Sequence, residues 1–344
     1  MLLLLLMLLY MCCCFRRGVN FEGRPGVSPG LPLNTESVRY RFENKERRLQ
    51  ESRVETLLKI ENLGVNIGGM PILDLKDKTI TVNKGDVVGI IGENGAGKTT
   101  LINCIIDKIQ YSGHILKNFS SDELGIQFQI NAYNKLMKVY EVIQIVTKNL
   151  KFDEKFEKEL NQFELKPLLK KRIGKLSVGE LQRLTLFLVL YLQPDVLLFD
   201  ELTTGLDYQK RTELLDLVKE YCKNKTVLTI THYFEEISDW ANKLLILHRG
   251  HFVFFGTIDE LERAYEHFSV IKVPAEIETD LKTIYSKTIS FIDINERYAG
   301  IVAYDEKQQK SLIEMLSQKG IGFQIEPKGI YSLYTLAISS AKGE

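Results

Sequence analysis

The chain has 344 residues, of which 44% are apolar and 26% charged. That length suits about two domains, and the balance permits a sizeable buried core. The 45 basic and 45 acidic residues cancel to a formal net charge of zero, which excludes the strongly basic footprint of a typical nucleic-acid-binding chain. Cys12, Cys13 and Cys14 are consecutive while Cys104 and Cys222 lie far apart, so neither a disulfide framework nor a zinc site is spelled out. A reducing, cytoplasmic setting fits best.

Met1 to Phe15 is almost wholly apolar and is followed by Arg16-Arg17. It is shorter than the roughly 20 residues a membrane-spanning helix needs. It lacks the charged start and small-residue cleavage site of a secretory signal. The first expectation is a poorly ordered segment or a true start further downstream. The second is a short membrane anchor with acylated cysteines, whose arginines would favour the cytoplasmic side. A cleaved signal comes third. Residues 18–53 read as linker, broken by Gly23, Pro25, Gly26, Pro29, Gly30 and Pro32, with a charge-dense stretch from Arg39 to Arg53. From Val54 onward no apolar run is long enough to cross a membrane. A protein acting at a membrane would therefore need another chain to supply most of the path.

The middle of the chain alternates strand and helix signals. Asp86 to Ile91, Val196 to Phe199 and Val227 to Ile230 are short apolar runs suited to buried strands. Thr99 to Lys108 has helical spacing, with Leu101, Ile102, Ile105 and Ile106 facing inward, and so has Lys210 to Tyr221. Strands interleaved with helices predict an α/β fold with a parallel sheet covered on both faces.

Chemistry concentrates where the first of these strands meets its helix. Gly92-Glu93-Asn94-Gly95-Ala96-Gly97-Lys98-Thr99 matches the pattern G-x-x-x-x-G-K-[ST]. Glycines let the backbone curl so that its N–H groups point at phosphate oxygens, and the following helix offers its positive end. Lys98 can reach the outer phosphates of ATP, and the Thr99 hydroxyl can ligate Mg²⁺. A second candidate site is Leu197-Leu198-Phe199-Asp200-Glu201, an apolar strand ending in two carboxylates. Beside a phosphate-binding loop, Asp200 is placed to hold the magnesium shell. Glu201 can orient or deprotonate an attacking water.

Leu176-Ser177-Val178-Gly179-Glu180-Leu181-Gln182-Arg183 resembles the signature sequence of ABC ATPases, usually LSGGQ, and lies just upstream of Asp200 as that family requires. Further pieces match in order. Gln129 resembles the Q-loop glutamine, with Gln127 as a rival on the same strand face. Glu201 to Asp207 resembles the catalytic glutamate and D-loop, and Thr231-His232 the switch histidine. The resemblance spans about residues 56–266. It implies a P-loop NTPase mixed sheet with a helical signature subdomain at about 130–180. It also implies a head-to-tail pair of ATP-binding subunits, in which Ser177 and Gly179 of one cover the ATP held by the other. In that arrangement the loop from Gly92 to Thr99, with Thr100 and Asp207, belongs to the nucleotide site. Thr99, Gln129 and Asp200 surround the metal, and Glu201, His232 and Lys98 serve catalysis. The remaining histidines, His114, His248, His251 and His267, are expected to be surface or loop residues.

The chain departs from the family pattern in three places. Val178 and Glu180 replace a glycine and a glutamine of the signature, and Leu202 replaces the proline after the catalytic glutamate. The aromatic residue that usually stacks on adenine is missing: Val54 to Ile91 contains no Phe, Tyr, Trp or His. Ile67 could offer an apolar face there, and weakened base selectivity is expected.

Residues 269–344 read as a separate small α+β unit, with strands near Ile289 to Ile292 and Gly300 to Tyr304 and a helix from Glu306 to Ser317. Similar appendages occur on ATPase subunits of ABC-2-type exporters; an extension that merely helps two ATPases pair is an equal alternative. The resulting organisation is an apolar segment and linker (1–53), an ABC ATP-binding domain (54–268) and an accessory domain (269–344). The expected function is ATP hydrolysis driving transport, with export favoured. The expected partners are an integral membrane permease subunit and a second ATP-binding subunit, at the cytoplasmic face of the membrane and without nucleic acid. The main alternative is a soluble, non-transporting ABC ATPase acting on protein or nucleic-acid partners. A P-loop kinase is disfavoured by the signature.

Overall fold

The computed structural model describes residues 55–129, 133–148, 153–285 and 289–343. The apolar N-terminal segment and the linker lie outside them.

Two long strands begin the described chain. β1 (Thr56–Ile67) and β2 (Met70–Asn83) form an antiparallel hairpin that turns at Gly68-Gly69, both with left-handed φ. Both strands bury apolar side chains on one side, as period-two sequences should. β3 (Val87–Ile91) runs straight into α1 (Lys98–Ile105), followed by β4 (Ser112–Lys117) and β5 (Leu124–Gln127). A helical region comes next, with α2 (Val139–Thr147), α3 (Glu154–Gln162) and α4 (Val178–Tyr191). Its interior is Val139, Ile143, Phe156, Leu160, Phe163 and Phe187. Phe156 and Phe187 meet edge to face at 5.6 Å.

The chain then returns to the sheet through β6 (Val196–Asp200), α5 (Tyr208–Tyr221), β7 (Thr226–Ile230), the short α6 (Phe234–Ser238), and the hairpin β8 (Lys243–His248) and β9 (His251–Thr257). The strand order is β4-β1-β2-β9-β8-β3-β7-β6-β5. Its β8-β3-β7-β6-β5 half is parallel, and the hairpins at the other end make the sheet mixed. Every residue of β6 and β7 is buried, which is why their sequences are unbroken apolar runs rather than alternating ones. The C-terminal edges of β3, β6 and β7 end side by side. Loops leaving those edges carry the phosphate loop, Glu201 and His232, the usual place for ligands in open α/β sheets.

After α7 (Ile258–Ala264), a second sheet forms from β10 (Ser269–Pro274), β11 (Ser290–Asp293), β12 (Tyr298–Ala303) and β13 (Gln324–Pro327). Its order is β11-β12-β10-β13, antiparallel throughout, with α8 (Glu278–Tyr285) and α9 (Glu306–Gln318) in the two crossovers. This is a split βαβ arrangement. The last helix, α10 (Ile330–Gly343), buries Leu333, Ala337 and Ile338 with Ile91, Ile237 and Leu261 of the first sheet and its helices. The C-terminal part therefore shares a core with the region that carries the phosphate-binding loop.

Candidate functional site

The loop between β3 and α1 curls through Gly95 (φ 80°) and Gly97 (φ 95°), the second of which caps α1. A side chain on Gly97 would put its Cβ 2.8 Å from Leu73 Cδ1, and one on Gly92 would sit 2.3 Å from the Leu247 carbonyl. Gly92 is required by that backbone contact, and Gly97 by its left-handed φ. Lys98 is only 6% exposed. Its Nζ donates to the carbonyls of Gly92 (2.7 Å) and Glu93 (3.0 Å), folding back over the loop it belongs to. Burial lowers its pKa, against the opposing pull of Glu201, Asp200 and Glu93.

Asp200 closes β6 and is 5% exposed. Thr99 Oγ1 points at its Oδ2 across 3.4 Å. Burial first, and then the neighbouring Glu201 charge, raise the Asp200 pKa against the opposing effects of Thr99, Lys98 and His232. A hydroxyl and a buried carboxylate are hard oxygen donors. Among the described residues no group of three or more His, Cys, Asp or Glu could hold a metal alone. The pair therefore fits Mg²⁺, which takes one or two protein oxygens and completes its shell with phosphate and water.

Glu201 gathers the rest. Its N–H donates to Ile230 O at 3.0 Å, and its backbone is left-handed (φ 54°). Its carboxylate accepts from Gln129 Nε2 at 2.6 Å and Thr204 Oγ1 at 3.0 Å, and lies 2.7 Å from His232 Nε2. Residues from three separate loops thus converge on one carboxylate, and two of them, Gln129 and His232, were expected there from the sequence. Gln127 is 2% exposed, and its Oε1 has no hydrogen-bond partner among the described atoms. β5 ends at Gln127, and the chain beyond it carries Gln129 out to Glu201.

The signature residues lie apart from this cluster. Ser177 caps α4 by a reciprocal box: its Oγ accepts from Glu180 N at 3.2 Å, and Glu180 Oε2 accepts from Ser177 N at 2.7 Å. Lys171 Nζ reaches the same carboxylate at 2.7 Å. Burial pushes the Glu180 pKa up, but Lys171 and Ser177 outweigh it and hold the group below its ordinary value. Glu180 thus has a structural use that explains an acid in place of the usual glutamine. Val178 is 60% exposed. Asp207 caps α5 through Lys210 N at 3.0 Å and pairs with Lys210 Nζ at 3.0 Å. Among the described residues, neither Ser177, Gly179 nor Asp207 hydrogen-bonds the phosphate loop of its own chain. Ile67, at the end of β1, is exposed, as is Met70 across the hairpin.

One important residue was not legible. Glu236, 7% exposed on α6, accepts from Thr203 Oγ1 and from Thr231 Oγ1 (2.6 Å) and pairs with Arg211 at 3.7 Å. It ties the loop after Glu201 to the loop bearing His232. Its only sequence signal is an acid directly before the buried Ile237. Replacing Glu236 by alanine strands two buried hydroxyls and a cation. We expect a loss of about 2–4 kcal/mol in unfolding free energy by denaturant titration; a change under 0.5 kcal/mol would refute this account.

Two histidines correct the sequence reading. His248 and His267 are buried rather than at the surface, although His267 does lie in a loop, between α7 and β10. His248 ends β8, and burial lowers its pKa. His267 sits 2.9 Å from Tyr265 O and 2.8 Å from Ser332 Oγ on α10, a contact between residues far apart in sequence. His114 and His251 are exposed, on β4 and β9. Cys104 and Cys222 are free and buried, and burial pushes their thiols up to about 11 and about 12, so they act as apolar filler.

Residues 75–204 match the family model described as ABC transporter. The chain is 31% identical over 250 residues to the methionine import ATP-binding protein MetN 1 of Bacillus cereus (strain ZK / E33L), covering 63% of this chain and 72% of that one.

The chain belongs to the ABC transporter ATP-binding family.

This ABC ATPase also shares 30% identity over 227 residues with the energy-coupling factor transporter ATP-binding protein EcfA2 of Symbiobacterium thermophilum, covering 59% of its own length and 78% of that relative. A putative ABC transporter ATP-binding protein of Lactobacillus johnsonii is 28% identical over 238 residues, where 63% of the ABC ATPase spans 41% of the relative. Among solved structures, an ATP-binding subunit of an ABC transporter superposes with TM-score 0.54 at 24% identity, covering 61% of this chain and 93% of that one. A bacterial Atm1-family ABC exporter with ATP bound gives 0.52 at 21% identity, covering 66% and 46%. At those identities the likeness shows the fold. Family membership makes the chain an ATP-binding ATPase.

Proposed function

We propose that this ABC ATPase hydrolyses MgATP in a head-to-tail pair and drives transport, in the export direction, through a separate integral membrane subunit.

 The observation that carries this reading is the convergence of Gln129, His232 and Thr204 on the Glu201 carboxylate, beside a phosphate loop whose Thr99 faces Asp200. Lys98, released from the Gly92 and Glu93 carbonyls, takes the outer phosphates, while the N–H groups from Gly95 to Thr100 cradle them at the start of α1. Thr99, Asp200 and Gln129 would hold Mg²⁺, which when bound neutralises phosphate charge. Glu201 accepts the proton of the attacking water, and His232 orients that water and the γ-phosphate. The exposure of Val178 and Asp207 supports a signature and D-loop that a second copy can reach. Ser177 and Gly179 then complete the partner's site.

Among the described residues no helix is long and apolar enough to cross a membrane. The transport path therefore belongs to another chain in this reading, and the ATPase sits at the cytoplasmic face. The C-terminal sheet supports export. The methionine import name of one relative weighs the other way. Purification of the tagged protein from detergent-solubilised membranes of its native host should recover an integral membrane protein in stoichiometric amount. Recovery with ribosomes or DNA and no such protein would sink the transport reading and leave a soluble ABC ATPase.

A further inference from the structure

Arg211, on α5, is a mostly buried cation with no part in the chemistry proposed above. Its side chain is 18% exposed, and its Nε has no hydrogen-bond partner among the described atoms. Two other contacts hold it. The guanidinium carbon stands 3.4 Å over the centre of the Tyr233 ring, and Nε lies 3.7 Å from Glu236 Oε1. Tyr233 is the residue directly after His232. Contact between a guanidinium and a ring face is favourable both electrostatically and as packing.

His232 needs such support. Its side chain is 36% exposed, and among the described residues its imidazole meets one hydrogen-bonding group, Glu201 Oε1 at 2.7 Å. A ring so lightly tethered is aimed by its backbone. The Tyr233 N–H donates to Thr231 Oγ1 at 3.0 Å, which closes a turn with His232 at its centre. Thr231 Oγ1 in turn donates to Glu236 Oε2 at 2.6 Å, and Thr203 Oγ1, two residues beyond Glu201, donates to Glu236 Oε1. Glu236 is 7% exposed, so its carboxylate needs a counter-charge. Arg211 supplies that charge while its guanidinium covers the Tyr233 ring. Its own backbone is fixed in the first turn of α5, where Arg211 N donates to Asp207 O at 3.0 Å. One side chain on a rigid helix thus touches both the residue after His232 and the carboxylate from which the turn hangs.

We infer that Arg211 is a positioning residue for ATP hydrolysis: seated on the Tyr233 ring and charged against Glu236, it sets the turn that aims His232. This rests on the catalytic role proposed for His232. None of these contacts reaches the loop from Gly92 to Thr99, so the effect falls on turnover and not on ATP binding. A small misplacement of a group that orients the attacking water is costly in rate, because the reacting atoms must be aligned.

The test compares the full-length protein with Arg211→Lys, Tyr233→Leu and the double variant by steady-state hydrolysis and equilibrium titration with MgATP. Arg211→Lys keeps a cation beside Glu236 and removes the planar guanidinium, so the buried carboxylate is not stranded. Tyr233→Leu removes the ring that the guanidinium covers. Each is expected to lower kcat about tenfold, with MgATP affinity within twofold of the parent. The double variant should also lose about tenfold, because both changes break one contact. Tyr233→Phe, which keeps the ring, should recover turnover to within twofold of the parent. Asp216→Asn, an exposed change on the same helix, should behave as the parent. Turnover within twofold of the parent in Arg211→Lys or in Tyr233→Leu would overturn the inference. So would a roughly 100-fold loss in the double variant, which would mark two independent effects, or a fall in MgATP affinity that matches the fall in kcat. His232→Ala separates this result from the reading beneath it. Parent-like turnover in His232→Ala would sink both, whereas lost turnover there beside parent-like Arg211→Lys would sink the role of Arg211 alone.

Discussion

Glu201→Gln is expected to lower ATP turnover by about 10²–10⁴-fold, the range of a lost general base, while ATP binding stays near the parent level. Glutamine keeps the size of the side chain and can still meet His232 and Thr204, so the loop geometry should survive. What it loses is the ability to accept a proton from water. Binding without turnover should leave ATP sandwiched between two copies, and size-exclusion chromatography in MgATP should show the pair accumulating. The unmodified protein should pass through that state only transiently. Turnover within threefold of the parent would remove Glu201 as the base. A failure to pair despite lost turnover would instead count against the shared site.

Lys98→Ala should have the second largest effect. The ammonium is buried and, among the described residues, bonds to the Gly92 and Glu93 carbonyls, two neutral acceptors that water or a phosphate can replace. Losing a charged contact to the outer phosphates is worth about 3 kcal/mol, or roughly 100-fold in ATP affinity. The fold should tolerate the change, because removing a desolvated charge relieves a cost as well as losing two hydrogen bonds. A titration showing affinity within threefold of the parent would refute this role for Lys98.

The parts of the molecule legible in sequence are those whose environment is local or uniform. β3, β6 and β7 stood out because burial on both faces demands unbroken apolar runs. The phosphate loop stood out because its glycines answer to close contacts and left-handed backbone at fixed spacing. The mixed sheet and the small α+β unit followed from the same patterns and from the family resemblance. What escaped detection depends on distant partners. α10 looks unremarkable until Ile91, Ile237 and Leu261 complete its apolar face. His267 is buried because Ser332 arrives beside it, and Glu236 because Thr203, Thr231 and Arg211 surround it. Except for Thr231 and Glu236, which are five residues apart, these partners lie far beyond any window of sequence. The adenine end is the converse case. The missing aromatic was plain in the sequence, and the structure sets exposed Ile67 and Met70 at that hairpin.

The left-handed backbone of Glu201 sets stability and activity against each other at one position. A non-glycine residue held at φ 54° gives up about 1–3 kcal/mol relative to a relaxed backbone. Glycine would fit that conformation freely, but it has no carboxylate to offer a water molecule. Glycine there would relieve the backbone but give up the contacts with Gln129, Thr204 and His232. If Glu201 is the base proposed above, keeping a glutamate in place reflects selection for turnover as well as for its contacts with Gln129, Thr204 and His232.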